Sequence, residues 1–195
     1  MVDMYALTLP VLTHPWLEGE SPLQLAPDSP RILLRSVERL AHYFKREMYF
    51  DFVQSDATET KESKGFVPYQ AYAFFAPARD RWQDDKPMPH RVFGACCFRD
   101  RDSSSGAPSW SLDWVWMHPY FRHRGHLKEA WPMFEREYGE GFHVEEPVSL
   151  AMRSFMEKYA FIRAARELPM DWSKGRCRHV INSALELRPA KSTLE

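Results

Sequence analysis

Cysteine, net charge and long apolar runs are all scarce in this chain of 195 residues, and each scarcity excludes something. There are three cysteines: Cys96 and Cys97 are adjacent, and Cys177 stands alone. An odd number with a vicinal pair does not make a disulfide framework, so a reducing cytoplasm is expected. Cys-x₂-Cys spacing is missing too, and Cys177-Arg178-His179 offers only a lone pair of ligands, so no metal site is expected. Lys and Arg number 26 against 27 Asp and Glu, a formal charge of -1. That balance argues against DNA, RNA or an anionic membrane surface as a partner. No apolar run is long enough to cross a bilayer, and the N-terminus lacks a basic stretch followed by an apolar one, which argues against insertion and export.

What is present suffices for a core: 44% of residues are hydrophobic and 14% aromatic. The length suits one domain, or one domain with an extension. Residues 1–30 hold Pro10, Pro15, Pro22, Pro27 and Pro30 and read as an extended surface arm, leaving residues 31–195 as a single domain. A helix follows, with Ser29 as a cap, Pro30 in the first turn, and Leu33, Val37, Leu40, Phe44 and Met48 at helical spacing. Residues 54–65 are polar and read as a mobile loop.

Strands are expected over 69–75, 91–98 and 110–117, the last two joined by a polar hairpin loop over 99–108. Such a meander begins a sheet antiparallel. If the third strand is regular, Trp110, Trp114 and Trp116 share one face. Leu127, Ala130, Trp131, Phe134 and Tyr138 fit a helical face that Gly139 and Gly141 end. Pro132 falls inside it, where a kink or a local break is expected. A short strand at 142–144 follows, then a helix capped by Ser149 with Met152, Phe155, Met156 and Tyr159 as core, and a last strand near 180–187. The order predicts mixed α/β with a central mixed sheet.

The most telling stretch is His118-Pro119-Tyr120-Phe121-Arg122-His123-Arg124-Gly125-His126-Leu127, between a strand and a helix. A helix N-terminus presents unpaired N–H groups and partial positive charge, which suits a phosphate. Glycine lets the backbone approach closely, and arginines add charge-assisted bonds. An ordinary solvated basic loop is the alternative.

This segment resembles the acetyl-CoA-binding segment of the GNAT N-acetyltransferases. Arg122-x-x-Gly125 matches the family's Arg/Gln-x-x-Gly-x-Gly/Ala in spacing, and Pro119 sits where its proline often sits. Downstream, the run from Ser149 through Phe155-Met156-Glu157-Lys158 to Phe161 is similar to the family's Asn…Phe-Tyr-Glu-Lys-Leu-Gly-Phe helix. The resemblance covers roughly residues 67–162. It implies a central mixed, mostly antiparallel sheet flanked by helices, with splayed central strands. It also implies direct transfer of an acetyl group from acetyl-CoA to a primary amine in a ternary complex.

By the same resemblance the pyrophosphate lies on the backbone of Arg122, His123, Arg124, Gly125, His126 and Leu127. Val115, Trp116 and Met117 supply oxyanion donors where the strand bulges, and Ser149 aligns with an asparagine that holds the pantetheine arm. Leu127 replaces the family's final small residue. Met156 replaces its proton-donating tyrosine, leaving Tyr159, about one turn on, as the substitute acid.

The attacking amine must lose a proton, and three groups suit the base. Asp113 is the only carboxylate on the aromatic strand; its other reading is a residue that faces solvent or pairs with an arginine. His118 has a suitable unperturbed pKa, and its other reading is a turn residue. Glu145 and Glu146 come third. Ser149 reads equally as a plain helix cap. The expected partners are acetyl-CoA and an amine acceptor, with a homodimer left open. The alternative function is a GNAT-shaped module that binds CoA or a protein without efficient turnover.

Overall fold

The computed structural model describes residues 7–100 and 110–167. The strand expected near 180–187, the Cys177–His179 pair and nearly all of the 99–108 loop lie outside the described residues. Two compact units divide the chain, Met1–Pro147 and Val148–Glu195.

The first unit is an α/β layer structure on a six-stranded, mostly antiparallel sheet. Its strands are β1 (Val11–Leu12), β2 (Leu23–Leu25), β3 (Tyr69–Pro77), β4 (His90–Asp100), β5 (Trp110–Met117) and β6 (His143–Val144), with helices α1 (Arg31–Met48) and α2 (His126–Tyr138). The order is β2-β3-β4-β5-β6, with β1 pairing the start of β4. Only β5 and β6 run parallel. The meander expected from the sequence is present as β3-β4-β5.

The proline-rich segment differs from a surface arm. Its residues 11–12 and 23–25 pair with β4 and β3, and Leu17 and Leu25 are fully buried. Prolines suit it because short edge strands tolerate a missing N–H. Ser29 does not cap α1: its hydroxyl accepts from Ala26 N–H, and the Pro30 carbonyl takes the first N–H groups of the helix.

Leu33, Val37, Leu40 and Phe44 of α1 pack on one face of the sheet with Ala71, Ala73, Val92, Ala95, Cys97, Trp114 and Trp116. The other face belongs to α2: Phe134 stands 4.8 Å from Tyr72 and 5.1 Å from Phe98, ring centre to ring centre. Cys96 and Cys97 therefore point to opposite faces, and both are buried. Burial drives the Cys96 thiol well above its ordinary pKa, which makes it a poor nucleophile. α2 runs unbroken across Pro132. Pro132 and Lys128, whose carbonyl loses its partner, are both exposed, so that carbonyl is open to solvent.

The three tryptophans of β5 do not share a face. Cys97 pairs with Trp114 but Phe98 pairs with Leu112, so Asp113 is an extra residue, a β-bulge. Alternation reverses across it. Trp114 and Trp116 enter the α1 core, whereas Trp110 lies 5.5 Å from Tyr138 of α2.

The second unit contributes α3 (Leu150–Glu167). Ser149 Oγ accepts from Met152 N–H at 3.2 Å, so the helix is capped as expected. Met152 is buried, but Met156 is 37% exposed and is not core.

Because β2 is part of the sheet, Leu25→Ala is expected to cost about 2–5 kcal/mol, the range for a buried leucine. Urea denaturation measures it, and a loss below about 1 kcal/mol would show that the segment is peripheral.

Candidate functional site

The strand–loop–helix junction is built as follows. β5 ends at Met117, and His118 caps a 3₁₀ turn over Pro119–Phe121, its Nδ1 accepting from Tyr120 N–H at 3.2 Å. The chain then passes through two left-handed residues, His123 (φ 60°) and Gly125 (φ 91°), before α2 begins. The first helical bond runs from Glu129 N–H to the Gly125 carbonyl. The N–H groups of His126, Leu127 and Lys128 therefore find no acceptor inside the helix.

The two arginines of the loop have different surroundings. Arg122 turns back to α1, where its guanidinium donates to both carboxylate oxygens of Glu47 at 2.8 and 2.6 Å. Its Nε donates to the Met117 carbonyl, and Trp116 Nε1 donates to the same glutamate. Arg122 is thus a clasp between α1 and the loop. Arg124 lies over the Tyr120 ring at 4.2 Å, a cation–π contact beside the helix end. Glu129 reaches back to the same end: a Cβ added at Gly125 would stand 3.2 Å from Glu129 Oε1.

Among the described residues, β5 pairs with β6 over a short stretch only. Its ladder with β6 pairs Ser111 with His143 and Leu112 with Val144. Glu145 N–H then donates to the Leu112 carbonyl, and among the described residues no further bond joins the two strands. Beyond that point, from Trp114 to Met117, about 10 Å of this edge, at about 3.3 Å per residue, pairs with no strand among the described residues. His118 N–H donates to Phe93 on β4. By alternation Trp116 and Trp114 face β4, while Val115 and Met117 turn their N–H groups to the open side. The bulge expected over 115–117 is instead at Asp113, and Val115 to Met117 pair regularly with β4. Gly94 permits this close pairing, since a Cβ there would come within 2.8 Å of Met117 Cγ.

At the bulge, Asp113 Oδ2 receives Arg99 Nε at 3.1 Å, with the two side chains only 8% and 14% exposed. Arg99 also donates to the Gln54 carbonyl at 2.9 Å and lies 3.7 Å from Glu59. Asp113 is thus held in an ion pair with Arg99 and does not simply face solvent. Around it lies a pocket of about 420 Å³ lined by Phe50, Phe52, Val53, Gln54, Val67, Arg99, Asp113, Glu145 and Glu146.

The third-choice carboxylates thus lie beside the first choice, and Glu145 accepts from Ser111 Oγ at 2.6 Å. Ser149 caps α3. Tyr159, in the same unit, stacks on Phe155 at 5.9 Å.

Glu47, Arg99 and Gln54 escaped the sequence reading. Glu47 is one of several charges on the last turns of α1, and its partner is 75 residues away in the chain. Gln54 lies in a segment whose polarity signalled a solvated loop, yet Gln54 and Ser55 are only 8% and 7% exposed.

Electrostatics favour a neutral His118. Partial burial, then the charges of Arg122 and Arg91, lower its pKa and favour the neutral ring; because Nδ1 accepts from Tyr120 N–H, the ring proton sits on Nε2. For Glu47, burial alone would raise the pKa. The hydrogen bonds from Arg122 and Trp116 and the Arg122 charge outweigh it and hold the carboxyl below its ordinary value.

No family model matches the chain, and no curated protein matches it significantly. No helix among the described residues is long and apolar enough to cross a membrane.

A depressed carboxyl stabilises the fold above its unfolded pKa, and that contribution is lost as pH falls through its folded value. Glu47→Gln should therefore cost about 0.5–1 kcal/mol at pH 7, because the pair is half exposed and screened. The difference from the parent should shrink below about pH 4.5 as the parent's carboxyl is protonated in both states. Urea midpoints across pH 3–7 read both, and a pH-independent difference would mean that the pair contributes no charge interaction.

Proposed function

We propose that the chain is a GNAT-like N-acyltransferase, working in the cytoplasm, that transfers an acetyl group from acetyl-CoA to a primary amine. The observation that carries this reading is the edge of β5. It parts from the parallel strand β6 after Leu112 and leads straight to the unpaired N–H groups that begin α2. An extended polar arm can pair with such an edge, and a pyrophosphate can seat on such a helix end.

The residues fit the group. His126, Leu127 and Lys128 offer N–H donors, and Gly125 has no side chain to block approach. Arg124 supplies charge at the helix end, whereas Arg122 is held by Glu47 and acts by shaping the loop. Acetyl-CoA supplies a thioester whose carbonyl carbon bonds to the amine nitrogen as the carbon–sulfur bond breaks, the thiolate leaving with a proton. The outward N–H groups of Val115 and Met117 can stabilise the developing oxyanion.

Asp113, bound to Arg99, is a positioning residue. His118 is the proposed base, neutral, with Nδ1 as the nitrogen that would take the proton once it releases the Tyr120 N–H. Tyr159 is the proposed acid, on the family resemblance alone. A second reading, a CoA-binding module without efficient turnover, draws on the same Arg99–Asp113 pair, which occupies the first-choice base.

Calorimetry with acetyl-CoA tests the binding half, and no heat at submillimolar ligand would end both readings. Arg124→Ala should weaken binding about tenfold, the value of one charge-assisted contact. Glu129→Gln should tighten it, because a negative charge leaves the helix end. An amine-panel acetylation assay then separates enzyme from binder. His118→Asn keeps an acceptor for the Tyr120 N–H and should cut kcat about 10²-fold. In the parent, kcat/KM should fall on the acid side below about pH 6.5, where a histidine of lowered pKa gains its proton. A fully active H118N would remove the base from this position.

A further inference from the structure

We propose that the solvent face of α1 is a docking surface for single-stranded RNA, with Arg35, Arg39 and Arg46 on its phosphates and Tyr49 against a base. The inference does not depend on the acyl-transfer reading.

The charge of this chain balances only in total. The helix carries Arg31, Arg35, Arg39, Lys45 and Arg46 against Glu38 and Glu47. Its apolar side, with Leu33, Val37, Leu40 and Phe44, is buried in the core. Away from that side, Arg35, Arg39, His42 and Arg46 follow one another at intervals of four, three and four residues, and all are exposed. Such spacing sets them in one row along the helix. The two carboxylates are engaged elsewhere: Glu38 accepts from Ala57 N–H at 3.4 Å, and Glu47 receives Arg122. Arg35 and Arg39 meet no hydrogen-bond or ion-pair partner among the described residues, and Arg46 lies over the Tyr43 ring at 6.0 Å. Arg31 donates to the Ala57 carbonyl and shares a pocket with Asp28 and Glu62, so the row is counted from Arg35. Like charges one turn apart destabilise a helix, and a polyanion laid along the row removes that repulsion.

Tyr49 is the second, independent observation. It stands three residues beyond Arg46, and it is 90% exposed. It closes the helix at φ 59°, in the left-handed region that glycine or asparagine usually occupies there. A bulky side chain is disfavoured in that conformation, and an exposed ring adds nothing to the core.

Arginines and an exposed ring together select the occupant. The planar fork of arginine matches a phosphate bidentately. The row runs about 16 Å from Arg35 to Arg46 and about 21 Å to Tyr49, at about 1.5 Å per residue. Unpaired bases stack on aromatic rings beside such a basic track. RNA is the nucleic acid that presents unpaired bases, in its loops, bulges and ends. A duplex hides its base faces from Tyr49. A lipid surface takes up the apolar face of a helix, and that of α1 is already in the core. An acidic peptide docks on a sheet edge or in a groove, and this face is an exposed helix ridge.

Fluorescence anisotropy of the full chain with a labelled oligouridine of about 20 nucleotides, between about 50 and 200 mM salt, tests the surface. Each phosphate held on a single strand lowers the slope of log affinity against log salt by about 0.7, so three arginines predict about −2. Arg35→Gln, Arg39→Gln and Arg46→Gln keep good helix formers on an exposed face. Singly, each should make the slope shallower by about 0.7; together they should weaken binding about tenfold or more at low salt and flatten the slope. Tyr49→Asn suits the left-handed backbone and should weaken binding about tenfold with the slope unchanged. Circular dichroism confirms that the variants fold. Silence of the oligouridine at low salt, parental affinity and slope in the folded arginine variants, or tighter binding of oligothymidine, a duplex of equal length, phosphatidylserine vesicles or polyglutamate would overturn the proposal. Titration with acetyl-CoA reads the acyl-transfer reading alone, so either idea can fail without the other.

Discussion

A single extra residue in β5 governs the arrangement of this protein. Asp113 faces no residue of β4, so the alternation of side chains reverses at that point. Trp114 and Trp116 go into the α1 core, and Trp110 goes to the side of α2. Without the bulge all three rings would crowd one face and the other would lose Leu112, which pairs with Phe98. The same irregularity sets the carboxylate against Arg99 and coincides with the point where β5 and β6 part. A packing requirement, that both faces be filled with aromatics, and a local charge pair are thus met by one backbone feature.

The second constraint ties the far end of that strand. Glu47, at the end of α1, receives Arg122 and Trp116 together. The helix that covers one face is thereby linked to the loop that leads to the helix on the other. The loop conformation, with left-handed His123 and Gly125, is held on one side by this clasp and on the other by the stack of Phe121 on Phe93 at 4.2 Å. The two ends of β5 therefore carry different chemistry: unpaired N–H groups at the C-terminal end, carboxylates and a buried amide at the bulge.

Much of this was legible in the residues. Leu33, Val37, Leu40 and Phe44 repeat every three or four positions, and the helix they mark is there. Tyr69–Phe75, Arg91–Phe98 and Trp110–Met117 announced three strands by composition alone, and Ser149 capped the helix it preceded. The errors came where sequence rules are local. Pro132 lies on an exposed turn, where the carbonyl it leaves without a partner is open to solvent, and the helix continues without a break. Proline density in residues 10–30 signalled extended chain correctly, but not that short pieces of it would pair with β3 and β4. The polar run from Gln54 hid three buried residues, Gln54, Ser55 and Ala57, because burial there depends on what packs over the loop and not on its own composition.

Periodicity, caps and turn residues act within a few positions of one another, so α1, the β3-β4-β5 meander, α2, α3 and the strand–loop–helix junction were already written in the residues. Asp113 was equally legible as a lone carboxylate among aromatics. Packing between distant segments set which way that carboxylate points, brought Arg122 to Glu47 across 75 residues, and buried Gln54 beside Glu145 and Glu146. The reason is physical. A one-residue shift in strand register costs little locally yet reverses every side chain beyond it, and ion pairs form between whichever charges the register brings together.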